Sequence, residues 1–194
     1  MKNYFYVLLC LCFSTTLIGQ TETLPAADQQ SLLEKAKWRL NIIPLNLGYE
    51  HRIGKKSTIY AQVGFDINRY QNASEEATGF FSRNIWGIAV DADIQYRYYY
   101  NIEKRKAQNR NYESNSANFI GGQITPIFSP ISTFGDEEIV NENGAIISAI
   151  WGIQRVKKDL LVFNFTLGPA VRVTSEMSDF DLQMQLSLGF ILGD

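Results

Sequence analysis

The one histidine of the sequence, His51, is the natural candidate for a general base. Some membrane-embedded hydrolases use such a base together with a serine or an aspartate. Glu50 is adjacent to it, but neighbouring side chains of an extended strand point to opposite faces. The Gly-x-Ser-x-Gly pattern of many esterases does not occur in the sequence. We therefore predict no catalytic residue and a protein that is not an enzyme.

Asp91 and Asp93 are the second pair whose spacing could support chemistry. Two residues apart in a strand, both carboxylates point to the same side, and carboxylate oxygens suit a hard cation such as Ca²⁺. Two carboxylates on one face of a strand are equally typical of a buried network of ion pairs, which is the interpretation we favour. We predict no metal site and no bound cofactor.

Composition excludes further classes of function. Two cysteines and one histidine are too few for a structural zinc site, which takes four ligands. A formal net charge of -2 is unlike the basic face of a nucleic-acid-binding protein, so no nucleic acid is expected as a partner. Aromatic residues make up 13% of the chain, which is high for a mean hydropathy of -0.14. The aromatic residues must therefore be distributed along the chain and not gathered in a long apolar run.

Residues 1–19 have the pattern of a cleaved secretory signal peptide. Lys2 precedes an apolar stretch that is too short for a membrane-spanning helix, which needs about 20 residues, and Gly19 provides a small residue near the end. Both cysteines, Cys10 and Cys12, fall inside this segment, so a disulfide-stabilised or thiol-dependent domain is not expected. Residues 20–37 are predicted to form a periplasmic tail or a short amphipathic helix.

Apolar and polar residues alternate with a period of two through residues 38–194, the predicted barrel domain. Seven segments show the pattern, less clearly at 120–128 and 145–154, and an eighth precedes a change of phase beside Pro44, where a bulge or tight bend is expected. They cover residues 36–42, 43–50, 59–68, 86–99, 120–128, 145–154, 163–173 and 180–190.

Most of these segments are longer than the ~5–6 residues usual in soluble domains and match the ~9–11 that a tilted strand needs to cross a membrane. Lipid admits only helices and closed barrels. We predict an all-β protein, an antiparallel up-and-down transmembrane β-barrel of eight strands, with ten as the alternative count.

The alternation assigns one face of each strand to the lumen and the other to lipid. A lumen network of ion pairs is expected to contain seven charged residues: Glu50, Asp66, Asp91, Asp93, Arg97, Arg172 and Asp181. An aromatic girdle at the membrane interface is expected to contain six residues: Trp38, Tyr96, Tyr98, Tyr99, Tyr100 and Trp151.

Loop lengths assign the two ends of the barrel. Short turns at residues 54–56 and 157–159 fit the periplasmic end, and residues 69–79, 129–144 and 175–178 fit the outer end. The segment 101–116 falls at the periplasmic end although it is long, polar and basic. We interpret it as a solvated turn, with contact to anionic lipid headgroups as the alternative.

Residues 45–52, Leu-Asn-Leu-Gly-Tyr-Glu-His-Arg, and the segment that begins Tyr98-Tyr99-Tyr100 resemble uncharacterised members of the small, OmpA/OmpX-like outer-membrane β-barrel proteins of Gram-negative bacteria. The resemblance covers about residues 38–194 and implies a fold and an outer-membrane location, but no functional residues. It also implies outer-membrane lipid and the outer-membrane assembly machinery as partners. We expect a monomer.

Three hypotheses of function follow from these patterns. The first is a non-enzymatic outer-membrane barrel, structural or surface-binding through its extracellular loops. The second is a membrane-embedded lipid or peptide hydrolase, which would depend on His51. The third is a secreted soluble barrel that binds an apolar ligand, and it predicts an apolar lumen.

Overall fold

The computed structural model describes the backbone of residues 31–71, 84–129, 131–134, 144–174 and 178–192, and the side chains of these residues except 66–71, 84–86 and 133. The predicted signal peptide, residues 20–30 of the predicted tail and most of the predicted outer loops lie outside these ranges. Residues 31–35 are irregular and the first strand begins at Ala36, two residues before the predicted domain boundary.

The described part of the chain forms one antiparallel sheet, which consists of eight long strands and one short strand. The strands are β1 (Ala36–Ile43), β2 (Leu45–Arg52), β3 (Ser57–Gln71), β4 (Asn84–Tyr98), β5 (Asn118–Ile127), β6 (Ser132–Phe134), β7 (Gly144–Lys157), β8 (Leu161–Thr174) and β9 (Ser178–Leu192). Each predicted strand coincides with one of the long strands, and the bounds differ by at most three residues.

Eight long strands pair in the order of the chain, and β1 pairs with β9, so that the sheet closes into a ring. The predicted up-and-down barrel of eight strands is therefore confirmed. Closure gives every long strand two neighbours and removes the exposed edges that an open sheet would present.

The phase change beside Pro44 is a tight connection between two strands, as the sequence predicts. Ile42 pairs with Leu45, so only Ile43 and Pro44 lie in the turn, and the peptide bond between them is cis. The same region shifts the pairing register of β1 with β9 between Asn41 and Ile43. A proline fits here because the turn requires no ladder hydrogen bond from its nitrogen.

The short strand β6 was not predicted. It lies within residues 129–144, which we expected to be an outer loop, and it pairs with β4 between Trp86 and Ile88. β5 pairs with β4 only between Ile94 and Tyr98. β6 therefore pairs with the same edge of β4, in the part of β4 that β5 does not reach. The backbone groups of β4 thus find partners beyond the region that β5 covers.

We call the end that carries residues 31–35, 53–56, 99–117 and 158–160 the inner end, and the opposite end the outer end. Residues 99–117, here called the inner plug, contain α1 (Ile102–Ala107) and a 3₁₀ turn (Glu113–Asn115). No helix in the described ranges is long and apolar enough to cross a membrane.

Candidate functional site

The lumen of the barrel is polar. Alternation along each strand points one set of side chains inwards, and that set is rich in amides, hydroxyls and charges. Four charged residues, Arg39, Glu50, Asp93 and Arg97, are each at most 2% exposed. Both arginines lie against the carboxylate of Glu50, and pairing of this kind is how buried charge is tolerated in proteins.

Glu50 lies at the centre of this network. Its Oε1 accepts hydrogen bonds from the hydroxyls of Tyr99 at 2.6 Å and Thr58 at 2.7 Å. Its Oε2 accepts a hydrogen bond from the Arg39 guanidinium and lies 4.0 Å from Nη1 of Arg97. Four different elements thus converge on one carboxylate.

Gln154 of β7 connects the two arginines to the inner plug. Its Oε1 accepts hydrogen bonds from Nη1 of Arg39 at 2.7 Å and Nη1 of Arg97 at 3.0 Å. Its Nε2 donates to the backbone carbonyls of Ser114 at 3.1 Å and Asn115 at 3.0 Å. The buried network and the inner plug are consequently one hydrogen-bonded unit.

Asp93 organises a second part of the network, made of amides. It accepts hydrogen bonds from Nε2 of Gln62 at 2.5 Å, of Gln95 at 3.0 Å and of Gln185 at 3.2 Å. Its neighbour Asp91 is half-buried on the same face of β4. Among the residues that the structure describes, no group of three or more His, Cys, Asp or Glu side chains could hold a metal ion.

The inner plug covers the inner end of the lumen with an apolar cluster. The cluster consists of Leu33, Tyr99, Ile102, Ala117, Phe119 and Ile150, all buried. Residues 114–116 of the plug are also buried, and the backbone nitrogen of Glu34 donates to Oδ1 of Asn115 at 2.9 Å. The interpretation of this segment as a solvated turn is therefore wrong for its inward face, because that face packs into the barrel.

The predicted lumen residues divide into two groups. Glu50, Asp93 and Arg97 meet in the network, with Asp91 beside them. Arg172 and Asp181 lie near the outer ends of β8 and β9, half-buried and exposed respectively, and Asp181 accepts a hydrogen bond from the backbone nitrogen of Leu182 at 2.7 Å. The side chain of Asp66 lies outside the described residues.

Three central members of the network were not predicted from the sequence: Arg39, Tyr60 and Gln154. Arg39 could have been predicted, because it alternates with Trp38 and Leu40 in the predicted strand 36–42. A tyrosine on the polar face has no comparable signal, because its ring is equally typical of an interface.

Five of the predicted girdle residues are exposed on the outside of the barrel near its inner end. Trp38, Tyr96, Tyr98, Tyr100 and Trp151 have exposed fractions from 37% to 50%. Tyr49 joins them, with its ring centroid 4.6 Å from that of Trp38.

Tyr99 is a correction to the girdle. Its exposed fraction is 0%, and its ring packs 5.4 Å from that of Phe119 inside the barrel. β4 ends at Tyr98, so the chain turns inwards at Tyr99 and buries the ring that the sequence assigned to the interface.

His51 lies outside the lumen, on the exposed face of β2. Its Nδ1 is 3.4 Å from the Tyr49 hydroxyl, and the two ring centroids are 6.1 Å apart. Glu50 points away from it into the network, as alternation requires. Among the described residues, His51 therefore contacts the hydroxyl of a tyrosine.

The fold and the site together define a closed antiparallel barrel with a polar lumen, which holds buried charged side chains, and an apolar exterior. Comparisons with protein-family models, with curated proteins and with solved structures found no match to this chain.

Proposed function

We propose that this protein is a non-enzymatic β-barrel of the outer membrane of a Gram-negative bacterium, structural or surface-binding through its extracellular loops. The observation that carries the proposal is the inverted polarity of the barrel. In β9, Phe180, Leu182 and Met184 are 79%, 64% and 69% exposed, whereas the lumen holds ion pairs and amides. An exposed apolar area of this extent marks contact with lipid or another apolar partner.

The dimensions of the apolar surface support lipid as that partner. On β9 it extends from Phe180 to Leu192. At about 3.3 Å per residue and a tilt of about 40°, this span is roughly 30 Å along the barrel axis, close to the hydrocarbon thickness of a bilayer. The exposed Trp and Tyr rings near the inner end have the amphipathic character that interfaces favour.

The closed inner end supports a role that does not involve transport through the lumen. Arg39, Arg97, Tyr60, Tyr99 and Phe119 are among the largest side chains that are fully buried, and the inner plug lies below them. The connections at the outer end would then make the functional contacts. We further propose outer-membrane lipid and the outer-membrane assembly machinery as partners of a monomeric barrel.

The polar lumen opposes the alternative of a soluble barrel that carries an apolar ligand. Such a protein would expose polar residues and enclose apolar ones, and the described residues have the reverse arrangement. The surroundings of His51 likewise provide no support for a hydrolase.

A pair of adjacent substitutions in β9 tests the membrane location. Leu186 is 47% exposed on the outside, and Gln185 faces the lumen, where its Nε2 donates to Asp93. We expect Leu186→Arg to destabilise the barrel in lipid vesicles by about 2–4 kcal/mol, because the charge would lie near the bilayer centre. Gln185→Arg is the matched control, since it adds the same charge beside a carboxylate.

The readout is urea unfolding of the two variants in vesicles, together with membrane fractionation of the exported chain and the heat-dependent gel shift of a folded barrel. Equal stability of the two variants, or recovery of the protein in the soluble fraction, would contradict the membrane assignment.

A further inference from the structure

A basic pocket lies on the outside of the barrel at its inner end, where α1 meets β5 and β7. The cavity has a volume of about 390 Å³. Its lining includes four cationic side chains, Lys104, Arg105, Arg110 and Arg155, and the neutral side chains of Tyr100 and Asn118. None of the described residues that line it carries a carboxylate.

Contacts with neutral oxygens hold two of the cations in place. Nε and Nη2 of Arg105 donate to the backbone carbonyl of Asn111 at 2.8 and 2.6 Å. Nη2 of Arg155 donates to Oδ1 of Asn118 at 2.6 Å, and its Nη1 donates to the carbonyl of Gln154 at 2.7 Å. Both guanidinium groups are therefore oriented without a neutralising carboxylate in these contacts.

The acidic residue of α1, Glu103, does not line the pocket and has another partner. Its Oε2 accepts a hydrogen bond from Nζ of Lys56 at 2.7 Å. Partial burial and the nearby Arg110 lower the pKa of the Arg105 guanidinium below its ordinary value. Burial is the larger of the two causes, and the proximity of Arg110 is the one that a bound anion would offset.

An aromatic pair connects the pocket with an apolar groove on the barrel wall. The Tyr100 hydroxyl accepts hydrogen bonds from Nε1 of Trp151 at 3.0 Å and from Nδ2 of Asn118 at 3.3 Å. Trp151 lines a groove of about 680 Å³, whose other walls include Tyr98, Ile120 and Leu167. The hydrogen-bonded pair of Tyr100 in the charged cavity and Trp151 in the apolar groove thus joins the two.

We propose that this composite site binds an anionic phospholipid, with the headgroup phosphate in the basic pocket and an acyl chain in the groove. The proposal depends on the membrane location given above. Guanidinium groups match the geometry of phosphate oxygens, and cations beside a membrane surface attract anionic lipids. The adjoining groove favours a lipid over a free phosphate ion, because the ion would leave that apolar surface uncovered.

The test compares two double variants of the purified protein in detergent micelles that contain equal amounts of phosphatidylglycerol and phosphatidylcholine. Lys104→Gln with Arg110→Gln removes two pocket cations whose side chains are exposed and make none of the hydrogen bonds described above. Lys55→Gln with Lys157→Gln is the matched control, since it removes two exposed cations of the inner end that do not line the pocket. Native mass spectrometry measures the ratio of bound phosphatidylglycerol to bound phosphatidylcholine.

We expect the parent protein and the control to prefer phosphatidylglycerol, and the pocket variant to lose about tenfold or more of that preference. Equal ratios in the two double variants would overturn the proposal, because the preference would then reflect the overall charge of the rim. Displacement of the lipid by added inorganic phosphate or glycerol phosphate would also overturn it, in favour of a free anion.

Insertion into vesicles and the heat-dependent gel shift are measured on the same protein preparations. A barrel that inserts but shows no lipid preference contradicts this inference alone. A chain that does not insert contradicts the membrane location on which the inference depends.

Discussion

The guanidinium carbon of Arg97 lies 3.9 Å from the centroid of the Tyr60 ring inside the barrel. Phe119 approaches the same guanidinium at 4.7 Å, and Arg39 lies 5.3 Å from the Tyr60 ring. Cation–π contacts are strongest where the cation is desolvated, and Arg97 is completely buried. Tyr60 therefore holds the two arginines of the lumen together as well as filling space.

Two substitutions of Tyr60 separate the contributions of its ring and its hydroxyl. The hydroxyl donates to Gln62 at 2.8 Å and accepts from Asn41 at 3.2 Å, so we expect Tyr60→Phe to lose about 1 kcal/mol of stability. Tyr60→Leu should lose about 2 kcal/mol more, because the cation–π contact disappears with the ring. Urea unfolding in vesicles measures both, and equal losses would show that the ring face contributes nothing.

Glu50→Gln tests the charge balance of the lumen. The variant leaves Arg39 and Arg97 buried without the carboxylate that they share, which typically costs about 3–5 kcal/mol. Glu103→Gln is the control, since it removes an exposed carboxylate whose salt bridge with Lys56 is at the surface. We expect the control to change the free energy of unfolding by no more than about 1 kcal/mol. A similar loss in the two variants would contradict the central role of Glu50.

Gly152 provides a test of packing in the lumen. A Cβ at this position would collide with the ring of Phe119 from the neighbouring strand. We expect Gly152→Ala to destabilise the barrel by about 1–3 kcal/mol through overpacking. Gly122→Ala is the matched control on the outward face of β5, where the nearest atom to a new Cβ is a carbonyl oxygen 3.8 Å away.

The double variant Gly152→Ala with Phe119→Leu should recover part of the loss, because the smaller side chain makes room for the methyl group. Additive losses in the same unfolding assay would show that the two positions do not interact.

The plugged inner end predicts a barrel that does not conduct. In planar bilayers we expect no discrete current steps from the purified protein, under conditions in which a porin gives clear ones. Stable steps with the same properties in independent preparations would contradict a closed lumen.

Strand positions could be predicted from the sequence because each strand has one apolar and one polar face, and a period of two reports this directly. The strand 36–42 was predictable for the same reason, because the change of phase beside Pro44 separates it from the next strand. β6 could not be found, since three residues are too few to show a period. Its pairing depends on β4 being longer than β5.

The site was predicted only in part. Glu50, Asp93 and Arg97 were assigned to the lumen from their phase, and the structure brings them together. Tyr99 was assigned wrongly because its neighbours Tyr98 and Tyr100 suggested a girdle, whereas the chain turns inwards at the end of β4. The inner plug was also misjudged, since its polar and basic composition conceals the few apolar residues that pack into the barrel.

By itself the sequence determined which residues form strands and which face of each strand is apolar, because alternation is a local property of the chain. Only the tertiary structure decided which polar side chains meet. The partners of Glu50 are Arg39, Thr58, Arg97 and Tyr99, which come from three other strands and the plug. Their meeting depends on the register between strands and on closure of the ring, and neither is written in any single segment of the sequence.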